Sequence, residues 1–290
     1  MNKEIIAKLV SFGEADESIR AVILEGSQSI GKFIDDLSDY DVNIFTRDAE
    51  PYLKSACWLD QFGEVLVYQK EELVFYGQAF PSRLVVFKNG ERIDFSFWPV
   101  AALVEIADGS KAYESYRNGY RVLVDKDGLA ARLPKPDGLG FLVLLPDRDL
   151  FLQTVYNFLF EAYCVARSLT RGDLWYAKRI EASYIKDHLY QMVLWERQRR
   201  QSWSHDPVLH LGGKRFEKWV SLDLVKAISA CFSPYDKEET WKSLLAMLDL
   251  FNALARNLSK EMGFDYPEQV SHDVLGYLET LKSRKERLDH

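Results

Sequence analysis

Between Pro134 and Pro146 the chain is interrupted by three prolines (Pro134, Pro136, Pro146) and by Gly138 and Gly140. Proline lacks the backbone donor and glycine lacks conformational restraint, so such a stretch ends whatever regular element precedes it. The hydrophobic pattern also changes across it. Upstream, short apolar runs alternate with turn residues; downstream, apolar residues recur at helical spacing. With 290 residues, each side is long enough for its own core. The boundary is therefore placed at about residue 140.

Upstream of the break the chain reads as mixed α and β. Residues 3–12 carry a short helical pattern, and Arg20-Ala21-Val22-Ile23-Leu24-Glu25 is a compact apolar run that ends at Gly26. From Asp39 to Phe45 the residues alternate: Tyr40, Val42 and Ile44 point one way, and Asp39, Asp41 and Asn43 the other. Leu84-Val85-Val86-Phe87, then Asn89-Gly90, then Arg92-Ile93-Asp94-Phe95-Ser96-Phe97 predicts a hairpin, because Asn-Gly supplies the positive φ angles of a tight turn. Downstream, helices are expected over roughly 148–169, 174–200, 222–232, 237–262 and 273–287.

Three carboxylates stand out against this framework. A strand's period of two puts Asp39 and Asp41 on one face, close enough to share a hard cation. Asp94 interrupts an apolar strand, where aspartate is disfavoured. A single Asp-x-Asp is weak evidence, since acids near strand ends are ordinarily solvated. Gly26-Ser27, a short spacer, Asp39-x-Asp41 and a third strand acid together are far more specific. If the Asp94 strand lies alongside, the acids converge, and Mg²⁺ would neutralise them while holding phosphate oxygens. Gly26 lets the backbone approach a phosphate, and backbone N–H groups with the Ser27 hydroxyl would cradle it.

A rival motif overlaps this stretch. Gly26-Ser27-Gln28-Ser29-Ile30-Gly31-Lys32-Phe33 nearly matches a P-loop but has Phe33 in place of the metal-binding hydroxyl. Too few residues then remain before Asp39 for the crossover helix a P-loop opens.

Charge and composition narrow the partners. The net charge is −7, and residues 1–135 carry most of it, with 16 basic against 22 acidic side chains. An acidic half argues against a nucleic-acid partner and suits a cationic one. No apolar run reaches the roughly 20 residues that span a bilayer, so no membrane partner is expected. The start, Met1 to Lys8, reads as an amphipathic helix and not as a signal peptide. Cys57, Cys164 and Cys231 are scattered and odd in number, which fits a reducing cytoplasm.

Leu24-Glu25-Gly26-Ser27, Asp39-Tyr40-Asp41, Trp58-Leu59-Asp60-Gln61-Phe62-Gly63-Glu64 and Phe87-Lys88-Asn89-Gly90-Glu91-Arg92-Ile93-Asp94, in this order, resemble the streptomycin (aminoglycoside 6-) adenylyltransferase family. The likeness continues through Leu123–Gly128, the region of Phe158, that of Trp195, and Gly213-Lys214. The carboxylates alone mark the wider DNA polymerase β-like nucleotidyltransferase superfamily. The resemblance implies an α+β nucleotidyltransferase domain (mixed sheet with flanking helices) over 1–140. It implies an all-α helical bundle over 141–290 that completes the acceptor pocket, the substrates meeting in the cleft. It implies Mg²⁺-dependent transfer of AMP from ATP to a cationic aminoglycoside by a monomer or weak homodimer. Carried over, Gly26 and Ser27 would hold phosphate, Asp39, Asp41 and Asp94 would ligate Mg²⁺, and Lys214 would contact phosphate, unless it is simply a solvated lysine. Two positions depart from the family pattern: Gln28 stands where an arginine is expected, and Asn157 where an acid is expected. An amide cannot act as a base. Glu161, one helical turn later, is the candidate substitute; its other reading is an ordinary exposed helix acid. The alternatives are another acceptor (a lincosamide, a metabolite or a protein) or a non-catalytic nucleotide-binding or antitoxin module on the same fold.

Overall fold

The computed structural model describes residues 2–31, 34–141, 143–203 and 212–284. The chain divides into two units, Met1–Phe141 and Leu142–His290.

In the first unit, helix α1 (Lys3–Ala15) is capped by the Asn2 side chain, which accepts from the Glu4 N–H. Strand β1 (Ile19–Glu25) runs into a one-turn helix α2 (Gly26–Ile30) and then β2 (Tyr40–Thr46). After α3 (Glu50–Lys54) come β3 (Val65–Phe75), β4 (Gln78–Phe87), β5 (Arg92–Pro99), α4 (Val100–Ala107), α5 (Glu114–Asn118) and β6 (Arg121–Asp125). The six strands form one sheet in the order β3-β4-β5-β2-β1-β6. Only the β2–β5 pair is parallel, so the sheet is mixed.

Alternation along the inner strands builds two cores. Ile5, Leu9 and Phe12 of α1 pack on the face carrying Val22, Leu24, Val42, Ile44, Phe95 and Phe97. Ala102, Leu103 and Ile106 of α4 pack on the opposite face with Ala21, Ile23, Phe45 and Trp98. The predicted hairpin forms between β4 and β5, with a difference at its tip. Phe87 N–H donates to Glu91 and Gly90 N–H to Phe87, a three-residue loop in which Gly90 alone takes the left-handed conformation (φ 87°). The P-loop reading has no support here: β2 returns antiparallel beside β1, with the five-residue α2 between them, and Lys32 and Phe33 lie outside the described residues.

The second unit is helical: α6 (Arg148–Thr170), α7 (Leu174–Ile180), α8 (Lys186–Arg200), α9 (Phe216–Trp219), α10 (Leu222–Ser229), α11 (Lys237–Met262) and α12 (Glu268–Ser283). Asp147 and Asp236 cap α6 and α11 through their carboxylates, and Gly263 ends α11 in the left-handed conformation. Phe158 of α6 and Phe251 of α11, both fully buried, lie face to face with ring centroids 3.7 Å apart. The single helix expected over 174–200 is instead two helices joined by a π-helical turn, Glu181–Ile185. That turn buries the Glu181 carboxylate beside Lys178, Lys186 and Ser243. The last helix begins at Glu268, earlier than its apolar spacing indicates, directly after Pro267. No helix among the described residues is long and apolar enough to cross a membrane.

Candidate active site

The parallel pairing of β2 with β5 sets the register Asp41↔Asp94, Asn43↔Ser96, Phe45↔Trp98. All six of these side chains share one face of the sheet, because a period of two repeats in both strands. Along that face the rows run from charged through polar to aromatic. One step before the paired residues lies Asp39, beside Arg92, whose guanidinium stands 4.0 Å from the Asp39 carboxylate. One carboxylate oxygen from each of Asp39, Asp41 and Asp94 lies within 4.8 Å of the others. Like charges this close need a counter-charge. Arg92 provides part of it, donating from Nε and Nη2 to the two Asp94 oxygens at 2.9 and 2.6 Å. Burial still raises the Asp94 pKa against the pull of Arg92.

Across from Asp41 on β1 stands Glu25. Its carboxylate accepts from the Tyr113 hydroxyl at 3.0 Å and from Asn43 Nδ2 at 2.9 Å. Asn43 accepts from Trp98 Nε1 at 3.1 Å, and its Nδ2 also donates to the Tyr116 hydroxyl. Enclosure among these side chains, and then the Asp41 charge, pushes the Glu25 carboxyl up to about 8.

Gly26 follows at φ 68°, a conformation L side chains rarely adopt. A Cβ on it would stand 2.1 Å from Asp41 Oδ2. Glycine is therefore required twice here, by its own dihedral and by Asp41. Ser27 is half-buried in the first turn of α2. Gln28 is buried, its amide N–H reaching the Ser38 carbonyl at 3.4 Å.

A cleft of about 270 Å³ opens beside Asp41 and Asp94, with Glu25, Glu71, Ser82 and Ser96 among its lining residues; Glu71, opposite Ser82 on β4, shares the face of the two aspartates. Three converging hard oxygen donors fit a divalent cation such as Mg²⁺ and do not suit soft metals.

The sequence model of one family, described as streptomycin adenylyltransferase, matches residues 1–281. The chain belongs to this family. As a member of the streptomycin adenylyltransferase family it is a nucleotidyltransferase. It is 24% identical over 94% of its length to an aminoglycoside 6-adenylyltransferase of Campylobacter jejuni, covering 94% of that protein. It is 23% identical over 92% of its length to an aminoglycoside 6-adenylyltransferase of Bacillus subtilis, covering 93%. The crystal structure of an aminoglycoside 6-adenyltransferase from Bacillus subtilis matches 97% of the chain, and 98% of its own, with a TM-score of 0.47 at 21% identity.

In this streptomycin adenylyltransferase family member, Gly26, Ser27, Asp39, Asp41 and Asp94 all lie in the first unit. The other two expected residues lie in the second. Glu161 is half-buried on α6, where its negative charge acts on His188 and Cys164. Asn157, one turn earlier, is exposed. Lys214 is exposed in the turn before α9. Sequence reasoning missed Arg92, Glu25 and the Asn43–Tyr113–Tyr116 network. Arg92 carried a signal, two residues before Asp94 and so on its face. The tyrosines carried none, because their approach to Glu25 depends on where α5 packs.

Proposed function

We propose that the protein transfers AMP from ATP to a hydroxyl of an aminoglycoside, with streptomycin as the first acceptor to test. The observation that carries this reading is the Asp41–Asp94 register, which places two acids from distant parts of the chain next to Asp39 at one spot. The names of the relatives support the acceptor class. Asp39, Asp41 and Asp94 would hold Mg²⁺; bound there, the ion supplies charge neutralisation for the triphosphate and the departing pyrophosphate. Gly26 and Ser27 bind phosphate oxygens through backbone N–H groups and the hydroxyl, fixing the α-phosphate for in-line attack. The acceptor oxygen bonds to the α-phosphorus and the α–β bridging bond breaks. Pyrophosphate leaves, and the hydroxyl proton passes to a carboxylate. Glu161 and Asp94 are the candidates for that base, and the Asn157 amide is not. The anionic cleft, with Glu71 on the same face as Asp41 and Asp94, suits an acceptor bearing guanidinium or ammonium groups.

Pyrophosphate release from Mg-ATP, measured with and without streptomycin, tests the reading. Streptomycin-dependent release that disappears in Asp94→Asn supports it. Release that streptomycin does not stimulate, but another acceptor does, replaces the acceptor and keeps the chemistry.

A further inference from the structure

The cluster of Asp39, Asp41 and Asp94 already contains a cation, and that cation belongs to the chain. Arg92 sits two residues before Asp94 on β5, so the strand's period aims both side chains at the same face. Its guanidinium straddles Asp94 in a two-point fork, at 2.9 and 2.6 Å, and its third nitrogen stands 4.0 Å from Asp39. Asp94 is mostly buried (side chain 16% exposed), whereas the Arg92 side chain is 43% exposed and has solvent to move into. A fork of this kind uses both carboxylate oxygens in their preferred directions.

We propose that Arg92 is the resident counter-cation of the three carboxylates, holding Asp94 and Asp39 in the metal-free protein and competing with a divalent cation for them. The proposal rests on the metal assignment above. A cation bonded to Asp94 at about 2.1 Å, with the guanidinium still hydrogen-bonded at about 2.8 Å, would leave the two positive groups within about 5 Å of one another. Either the guanidinium swings away or the cation binds weakly. Free metal is thereby a poor ligand for the resting protein. A metal arriving with triphosphate is a better one, because the added negative charge gives the displaced guanidinium a new partner.

The test uses the whole chain without nucleotide or acceptor and follows Mn²⁺ by its electron paramagnetic resonance signal. Arg92→Met keeps the length and apolar stem and removes the charge. It is expected to bind Mn²⁺ about ten-fold more tightly than the wild type and to melt at a lower temperature without metal. Saturating Mn²⁺ should then close the gap in melting temperature. Arg92→Lys, which keeps a charge but cannot make the fork, should bind Mn²⁺ with intermediate affinity. A purely structural Arg92 would lower the melting temperature equally with and without Mn²⁺ and leave the affinity unmoved. Equal or weaker Mn²⁺ binding in both variants, with Asp94→Asn still abolishing binding, overturns the proposal and spares the metal assignment. No Mn²⁺ binding in the wild type or either variant overturns both.

Discussion

Gly26 and Asp41 are in closer apposition than any side chain at position 26 permits: a Cβ there would lie 2.1 Å from Asp41 Oδ2. The left-handed φ of Gly26 comes from the chain leaving β1 and turning directly into α2. Gly26→Ala should therefore act on both elements. Forcing alanine into this conformation costs roughly 1–2 kcal/mol, and the methyl group must also push Asp41 out of the carboxylate cluster. The expected result is a lower melting temperature together with a loss of turnover of about 100-fold or more, equivalent to some 2.7 kcal/mol. Wild-type turnover in a folded Gly26→Ala protein would remove Asp41 from the site.

Asp94→Asn removes one charge from the cluster and one partner from Arg92 while keeping the size of the side chain. Turnover should fall by about 1,000-fold, some 4 kcal/mol in the barrier. The far-ultraviolet circular dichroism should stay that of the wild type, because Asp94 sits in the cleft and Phe95, its neighbour, holds the core. Steady-state kinetics on the variant checks this.

Glu25 gives the metal-free protein a pH dependence of defined sign. Its folded-state pKa, about 8, lies above the ordinary value of 4.5. The folded protein therefore holds this proton more tightly than the unfolded chain does. The stabilisation is fully present below about pH 4.5 and is lost as pH rises through about 8. Glu25→Gln cannot ionise and should be less sensitive. Its melting temperature relative to wild type should rise between pH 6 and pH 8.5, and a difference that stays constant across that range would refute the assignment.

The helical unit should fail separately from the carboxylates. Phe158→Ala removes a fully buried ring that stacks on Phe251, which should cost about 3–5 kcal/mol. Urea denaturation followed by tryptophan fluorescence measures the loss, with Trp195 and Trp241 of the same core as reporters.

Glu161→Gln tests the proton acceptor. If Glu161 takes the acceptor's proton, turnover should fall by about 100-fold or more. Unchanged turnover returns the role to Asp94.

Much of this was legible along the chain, because strand and helix periods are local properties. The alternation of Asp39, Asp41 and Asn43 against Tyr40, Val42 and Ile44, the turn at Asn89-Gly90, and the break after Pro134 each follow from a few consecutive residues. The long strand β3 was not legible. It lies at the sheet edge, exposed over most of its length, so Val65–Phe75 shows no in-and-out alternation. The π-helical turn at Glu181 was equally silent, since a buried ion pair leaves no apolar period.

The sequence by itself determined that Asp39 and Asp41 share a strand face, where glycine punctuates the chain, and roughly where the longer helices of the second half lie, because backbone geometry fixes side-chain direction within an element. Only the tertiary structure decided that β5 lies parallel to β2 in the register that sets Asp94 beside Asp41. It also brought Arg92 to Asp39, and Tyr113 and Asn43 to Glu25. Those contacts join residues far apart in sequence, and they are fixed by packing on both faces of the sheet, which no local period encodes.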